Sequence, residues 1–244
     1  MSDKFEEIYR KSIEDPQNFW REASDDIFWF KKPTKILNKS NPPFYKWFED
    51  GVTNTCYNAL DIHIDKGQGK KTAIIYDSPI TGNKSKLTYE ELRSKVSKFA
   101  GALTNQGVNK GDRVIIYMPM IPEAVIAMLA CGRIGAIHSV VFGGFASNEL
   151  ASRIDDSKAK ILVTASCGFE PGRTVEYKPL VDEAVKLASH KISKIVLFQR
   201  KGHEAKLNAP TEISWDEALA DAKDTECVET VSYTHLTLPT TSPV

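Results

Sequence analysis

Residues 113–144 read RVIIYMPMIPEAVIAMLACGRIGAIHSVVFGG, a short apolar run, a longer amphipathic run and a second short apolar run. The first run, Arg113–Met118, is followed by a proline and is typical of a buried strand. Pro122 suits the first turn of a helix, which we expect to continue to about Ile134. Residues 137–142 then predict a second strand. The stretch therefore predicts a strand, a helix and a strand joined as a βαβ unit.

The same alternation continues on both sides of this stretch. Further strands are predicted at 72–76, 160–165 and 195–198, further helices at 88–107, 147–156, 179–189 and 215–222, and a loop at 168–173. The helix at 88–107 opens with a capping box, in which the hydroxyl of Thr88 caps the amide of Glu91 and the carboxylate of Glu91 reaches back. The predicted fold class is α/β, a partial doubly wound parallel sheet, whose ligands lie outside the carboxyl ends of its strands.

The first part of the chain, to about residue 63, differs in composition and periodicity. Aromatic and turn-forming residues are dense there, as in Phe28-Trp29-Phe30 and Asn41-Pro42-Pro43-Phe44, and periodicity is weak beyond a short first helix. Trp and Phe at this density more often anchor a segment to a core than bind a ligand. We therefore expect an irregular, aromatic-rich N-terminal segment wrapped on something larger.

The composition is that of a folded chain with no excess of positive or negative charge. The 244 residues are 41% hydrophobic, and Lys+Arg and Asp+Glu both number 32, so the net charge is zero at pH 7. This apolar content argues against a mostly disordered chain. Because no basic excess steers the chain to nucleic acid or to an acidic membrane surface, we expect neither partner.

The sequence predicts a reducing, cytosol-like compartment. No apolar run approaches the ~18 residues that a membrane span needs, and the polar start at residues 1–7 argues against a signal or transit peptide. The four cysteines lie far apart and fit neither a zinc site nor a disulfide framework. They are Cys56, Cys131, Cys167 and Cys227.

Two loops follow predicted strands at the edge where ligands bind. In the first, Phe142-Gly143-Gly144-Phe145, paired glycines allow a tight turn and let a ligand approach the backbone. A plain strand-to-helix turn explains the same residues equally well. The second, Cys167–Arg173, carries Arg173 on a loop shaped by Gly and Pro, and a guanidinium there suits a phosphate or carboxylate. Taken alone, an exposed loop arginine is more often simply solvated.

Other candidates are weaker. Residues 67–72, GQGKKT, superficially resemble a P-loop, but the glycine spacing is wrong and the stretch precedes a strand. His138 has no second ligand nearby in sequence, which favours a core or edge histidine. No Ser/His/Asp arrangement and no paired metal ligands can be assembled, so we predict no catalytic residue and no metal site in this chain.

Three stretches identify a family resemblance, namely 117–124 (YMPMIPEA), 129–139 (LACGRIGAIHS) and 141–145 (VFGGF). They resemble the short-chain acyl-CoA synthetases, that is, the acetyl- and propionyl-CoA synthetases of the adenylate-forming (AMP-binding) enzymes. The resemblance extends from residue 5 to about 228 and covers the first third of such an enzyme. Stretches similar to the propionate–CoA ligases are 41–44, 145–147, 153–156 and 170–177.

The resemblance implies a reaction and a set of binding residues. A carboxylate attacks the α-phosphate of ATP with Mg²⁺ to give an acyl-adenylate, and the thiol of CoA then displaces AMP. The matched CoA-binding positions are Phe142, Gly143 and Gly144, toward the adenine and backbone of CoA, and Glu170, Pro171, Gly172 and Arg173, toward its 3′-phosphate. Acetyl-type enzymes carry a second arginine where this chain has Glu170, so Arg173 is the expected phosphate ligand.

The resemblance also divides the chain. It implies an acetyl-CoA-synthetase-type N-terminal segment at 1–63 and the first part of the adenylation domain at 64–229. The phosphate loop, the ribose-binding acids and the adenylation lysine of the family are not matched, so the ATP and Mg²⁺ sites are expected outside this fragment, which we expect to be inactive alone. Residues 230–244 resemble a translated sequencing-library adapter and are predicted to be a non-native tail.

Three functions are therefore compared. The first is part of a propionate/acetate–CoA ligase, located in the cytoplasm, or in the mitochondrial matrix if the parent is eukaryotic. The second is a non-catalytic module that binds CoA or a nucleotide. The third, a Rossmann oxidoreductase, is disfavoured because the chain lacks G-x-G-x-x-G. Oligomeric state is not predicted.

Overall fold

A computed structural model of the chain describes residues 3–231, which divide into two compact units. One unit comprises residues 3–58 together with 229–231, and the other comprises residues 59–228. Residues 232–244, most of the predicted non-native tail, lie outside the described residues.

The first unit is built from short elements around aromatic residues. They are α1 (Asp3–Glu14), α2 (Pro16–Ala23), a 3₁₀ turn (Ser24–Asp26), β1 (Leu37–Asn38), β2 (Lys46–Trp47) and β3 (Val52–Thr53). Trp29 and Phe48 are buried with Ile36 in a small cluster, and the indole N–H of Trp29 donates to the carbonyl of Ser24 at 2.9 Å. The expected irregular, aromatic-rich segment is confirmed.

The second unit carries the regular elements. After a π-helical turn (Tyr57–Asp61), they are α3 (Ile62–Asp65), β4 (Thr72–Ser78), β5 (Asn83–Thr88), α4 (Tyr89–Asn105), β6 (Arg113–Met118), α5 (Pro122–Arg133), β7 (Ile137–Phe142), α6 (Ser147–Ser157), β8 (Ile161–Ala165), β9 (Cys167–Glu170), β10 (Arg173–Glu176), α7 (Tyr177–Leu187), β11 (Lys194–Phe198), β12 (Glu212–Ser214) and α8 (Trp215–Ala220). The chain then returns to the first unit as β13 (Thr230–Val231), which pairs antiparallel with β3.

Five of these strands form one parallel sheet in the order β12-β11-β8-β6-β7. Numbered along the chain, this order is 2-1-3-4-5 from the β7 edge, so the direction of winding reverses between β6 and β8. Ligands of doubly wound sheets bind outside the carboxyl ends of the strands near such a reversal. The predicted fold class is confirmed.

Helices cover both faces of the sheet. On one face, Leu150 of α6 and Val181 of α7 pack against Ile115 and Leu162 of the central strands. Because successive strand residues point to opposite faces, Ile116 faces the other side, where α4 packs on α5 and α8. There the rings of Phe99 and Trp215 stack with centroids 3.7 Å apart.

The capping box at the start of α4 is also confirmed. The amide of Glu91 donates to the hydroxyl of Thr88 at 3.2 Å, and the amide of Thr88 donates to the Glu91 carboxylate at 2.8 Å. Among residues 3–231, no helix combines the length and apolar character that crossing a bilayer requires.

Two local expectations were wrong. The strand predicted at 72–76 is present, but it is not part of the parallel sheet. It forms a separate antiparallel hairpin of β4 and β5, because residues 83–88 pair with it. The loop predicted at 168–173 is a hairpin, in which β9 pairs antiparallel with β10 around the turn Pro171-Gly172. Gly172 has φ +75°, which supplies the left-handed backbone that this short turn needs.

Candidate functional site

The first candidate loop, residues 142–145, lies at the carboxyl end of β7, an edge strand of the parallel sheet. The chain turns at Gly143 and Gly144, and Gly144 has φ +99°, a conformation that favours glycine. A β-carbon on Gly143 would lie 2.8 Å from the carbonyl oxygen of Met118 and would overlap the hydroxyl of Tyr177. Glycine is therefore required at residue 143 by close packing and favoured at residue 144 by conformation.

A buried tyrosine holds this turn from below. Tyr117, on the interior strand β6 beside β7, donates its hydroxyl to the carbonyl of Phe145 at 2.8 Å and accepts the N–H of Gly144 at 3.2 Å. Burial raises the pKa of Tyr117, so its hydroxyl stays protonated and remains a donor at neutral pH. No motif in the sequence singled out this residue. A tyrosine within an aliphatic strand was the available signal, since a buried phenol needs a partner.

The second candidate loop, residues 167–173, forms strand β9 and the tip of the β9–β10 hairpin. Glu170 and Arg173 are opposite one another in the register, on either side of Pro171-Gly172. The two side chains form an ion pair in which one carboxylate oxygen, Oε2, accepts from Nε of Arg173 at 2.7 Å and lies 2.6 Å from Nη2. The side chain of Arg173 is 71% exposed, so the guanidinium is accessible to a ligand from solvent.

The structure brings the two predicted segments together. A β-carbon on Gly144 would lie 3.6 Å from Oε1 of Glu170, which is ordinary van der Waals contact. The hydroxyl of Tyr177, at the start of α7, packs against both Gly143 and Gly168, and a β-carbon on Gly168 would lie 2.5 Å from it. Burial, and then the proximity of Tyr117, Glu170 and Cys167, raises the pKa of Tyr177 to about 12. Tyr177 is thus a shared support for the glycine turn and the hairpin.

Aromatic rings flank the site. Phe142 is 70% exposed, and its ring centroid lies 5.6 Å from that of Phe145. The guanidinium carbon of Arg153 lies 5.8 Å from the centroid of Phe145. An exposed aromatic face beside a glycine turn is suited to stacking against a planar heterocycle.

Arg200 supports the hairpin from behind. Its guanidinium carbon lies 4.6 Å from the ring centroid of Phe169, a residue of β9, and its backbone N–H donates to the hydroxyl of Ser166 at 2.9 Å. The ring of His203 meets the same phenylalanine edge-on at 5.1 Å. The sequence analysis missed Arg200 because the contact joins residues far apart in the chain.

A cavity of about 610 Å³ borders the start of α7 and the segment 202–208. Lys178 lines it and is paired with Asp182 at 2.5 Å and with the buried Glu212 at 3.1 Å. Burial opposes the charge of Lys178, but these two carboxylates outweigh it and raise its pKa. The lysine is thus held by internal partners.

Two residues set aside in the sequence analysis are structural. Cys131 is fully buried in α5, where it packs as a core residue, and burial raises the pKa of its thiol to about 12. His138 is half-buried on β7, and burial lowers its pKa. The favoured interpretation of a core or edge histidine fits this position.

The sheet order defines a doubly wound α/β domain. Its carboxyl edge carries the glycine turn at 142–145 and the β9–β10 hairpin at 167–176, which together are called the rim. The family model described as AMP-binding enzyme matches residues 63–237, and the model described as acetyl-coenzyme A synthetase N-terminus matches residues 5–59. The chain belongs to the AMP-binding enzyme family.

Curated relatives agree with this assignment. The chain is 52% identical over 225 residues to human acyl-CoA synthetase short-chain family member 3, mitochondrial, covering 92% of this chain and 33% of that protein. It is 45% identical over 225 residues to acetyl-coenzyme A synthetase of Streptomyces coelicolor, covering 92% of this chain and 32% of that protein. The chain thus spans about a third of the length of these relatives.

A solved structure shares the fold. Acetoacetyl-CoA synthetase from Streptomyces lividans superposes with a TM-score of 0.80 over 91% of this chain and 34% of that one. The two are 22% identical, so this likeness concerns the fold alone.

Proposed function

We propose that this chain is part of an ATP-dependent acyl-CoA ligase that activates propionate or acetate as an acyl-adenylate and transfers the acyl group to CoA. Membership of the AMP-binding family and the match to the acetyl-CoA synthetase N-terminus support this reaction class. Similarity to a short-chain acyl-CoA synthetase and to an acetyl-CoA synthetase supports a small carboxylic acid as the substrate.

The CoA-binding role of the rim rests on one observation, the proximity of Gly144 and Glu170. Two segments that are separated in sequence lie at one edge, with an exposed Gly144 at the glycine turn and a guanidinium at the hairpin tip. In this proposal, Gly143 and Gly144 let the pantetheine chain and nucleotide approach the backbone. The exposed ring of Phe142 meets the adenine.

Arg173 is the proposed ligand of the 3′-phosphate of CoA. A guanidinium offers a phosphate two parallel, charge-assisted hydrogen bonds. Pro171 and Gly172 shape the turn that presents it. We propose no catalytic residue within this chain, because the groups of this rim bind and orient CoA and do not touch the reacting carboxylate.

The other substrates are proposed to bind elsewhere in the ligase. We place the ATP and Mg²⁺ sites outside residues 1–229, with 1–63 as the N-terminal segment, 64–229 as the first part of the adenylation domain and 230–244 as a non-native tail. Under this proposal the 244-residue chain alone makes no acyl-adenylate. The proposed location is the cytoplasm, or the mitochondrial matrix in a eukaryote, as the name of the human relative suggests.

The test is ATP–pyrophosphate exchange by the complete ligase with propionate and with acetate. Exchange that depends on either acid, followed by thioester formation when CoA is added, would support the proposal. CoA binding without exchange would instead identify a non-catalytic CoA-binding module. Propionate-dependent exchange by the purified 244-residue chain would contradict the proposed location of the ATP site.

A further inference from the structure

The guanidinium of Arg173 already holds an anion from its own hairpin. Glu170 and Arg173 are register partners across the two-residue turn Pro171-Gly172, so the backbone itself keeps their side chains adjacent. One oxygen of Glu170 lies 2.7 Å from Nε and 2.6 Å from Nη2 of Arg173. These two nitrogens form one of the two edges through which a guanidinium binds a phosphate in a bidentate manner.

The other carboxylate oxygen of Glu170 lies beside the glycine turn. Its second oxygen, Oε1, faces the glycine turn, 3.6 Å from where a β-carbon of Gly144 would lie. Its side chain is 39% exposed, against 71% for Arg173, so the carboxylate lies on the inner side of the pair, toward the proposed CoA path. A ligand that runs from the glycine turn to Arg173 therefore meets the carboxylate as well.

Two other arginines near the hairpin lie against aromatic rings. The guanidinium of Arg153 lies over the ring of Phe145, and that of Arg200 lies over the ring of Phe169 behind the hairpin. The hairpin tip thus has one positive and one negative group, and their formal charges cancel. A phosphate and a carboxylate are both negatively charged hydrogen-bond acceptors, so they compete for the same N–H donors.

We infer that Glu170 is a specificity-determining residue, an internal competitor that weakens recognition of a phosphate monoester at Arg173. The inference rests on the proposed function, in which this phosphate is the 3′-phosphate of CoA. A bound phosphate either displaces Glu170 from the Nε/Nη2 edge or takes the remaining edge of a guanidinium whose charge is already compensated. Either way, the 3′-phosphate contributes less to CoA affinity than an unpaired arginine would allow.

The test compares CoA with dephospho-CoA, which lacks the 3′-phosphate, in the complete ligase. Glu170→Gln removes the charge and keeps the shape of the side chain. Because exposed ion pairs are weak, we expect CoA to bind about two- to fivefold more tightly to this variant. Dephospho-CoA should bind unchanged. Glu90→Gln, at an exposed glutamate of α4, is the matched control and should change neither affinity.

Arg173→Ala and the double variant complete the design. If Glu170 acts by occupying Arg173, the gain from Glu170→Gln disappears when Arg173 is also replaced. The inference is overturned if Glu170→Gln produces no gain, an equal gain with dephospho-CoA, or a gain that persists without Arg173. A different failure, in which Arg173→Ala weakens CoA and dephospho-CoA equally or not at all, would remove the proposed phosphate role of Arg173 itself.

Discussion

Tyr117 and Phe145 are joined by a hydrogen bond in which the phenol of Tyr117, inside the sheet, donates to the backbone carbonyl of Phe145 at 2.8 Å. The phenol oxygen of Tyr117 also accepts the N–H of Gly144. One side chain thus satisfies two backbone groups of the glycine turn. The rigidity of the rim is therefore set from inside the sheet.

Replacing this phenol should loosen the turn without a large change in packing. In Tyr117→Phe, the N–H of Gly144 loses its acceptor, and a lost hydrogen bond costs about 1 kcal/mol. We expect the amide of Gly144 to exchange with deuterium roughly fivefold faster, as measured by exchange mass spectrometry on peptides that span the turn. Tyr45→Phe, at an exposed tyrosine, is the control. Unchanged exchange at Gly144 would contradict the role of Tyr117.

Gly143→Ala should damage the rim by overlap. The added β-carbon meets the carbonyl of Met118 and the hydroxyl of Tyr177, so backbone or ring must shift at a cost of about 1–3 kcal/mol. We expect a lower melting temperature and weaker CoA binding in the complete ligase. Gly82→Ala separates overlap from conformation, because Gly82 has φ +69° with nothing within 4 Å of the added carbon. Equal losses of CoA affinity in both variants would show that overlap at Gly143 is not the cause.

Arg173→Ala should weaken CoA far more than dephospho-CoA. An unopposed charge-assisted hydrogen bond to phosphate is worth about 1.5–3 kcal/mol, which corresponds to roughly 10- to 100-fold in affinity. Because Glu170 competes for the same guanidinium, we expect a loss near the lower end of that range. Apparent affinities of wild type and variant for the two thiols measure this selectivity, with Arg10→Ala on α1 as a control for the loss of one positive charge. If the variant loses as much with dephospho-CoA as with CoA, Arg173 is a structural residue of the hairpin.

The alkaline limit of stability should depend on Tyr177. Its pKa is raised to about 12 in the folded chain, chiefly by burial, from the ordinary 10 of an unfolded tyrosine. The folded state thus holds a proton that the unfolded state releases, so this contribution is complete below about pH 10 and is lost as the pH rises to about 12. In an absorbance titration at 295 nm, Tyr177→Phe should remove a late-ionising tyrosine. Loss of an early-ionising one would contradict this assignment.

The 244-residue chain, produced alone, should associate. Among the described residues β7 pairs on one side only, and Val140 on it is 52% exposed, next to the still more exposed Phe142. An unpaired strand edge with apolar side chains promotes edge-to-edge contact. We expect concentration-dependent assembly in size-exclusion chromatography, and Val140→Lys should reduce it. A monomer with a sharp, reversible thermal transition would contradict the expectation.

Local sequence was sufficient for four of the five strands of the parallel sheet, β6, β7, β8 and β11, but it did not predict the three-residue strand β12. The unit from Arg113 to Phe142 was predictable because its hydrophobic periodicity, its prolines and its flanking glycines are all local signals, each of which extends over a few residues. The β9–β10 hairpin was not, because residues 168–173 are rich in turn formers and their pairing depends on a two-residue turn. A pattern of apolar residues does not report such a turn.

The residues that support the rim were harder still to find. Tyr117 and Tyr177 lie on different elements, and each acts on a segment distant in sequence. Sequence patterns describe neighbours along the chain. Contacts between distant segments can therefore be identified only from the three-dimensional arrangement of the strands. The resemblance identified Glu170 and Arg173 as separate positions, whereas their pairing across the turn is a property of the fold.

The order of the strands in the sheet has a consequence for biosynthesis. Every segment that shapes the rim, from Arg113 on β6 to Arg200 behind the hairpin, comes from one continuous stretch of the chain. Because a ribosome releases a protein from its N-terminus onward, this stretch leaves the ribosome before the residues that follow it. The glycine turn and the hairpin are thus expected to form before later parts of the chain have emerged.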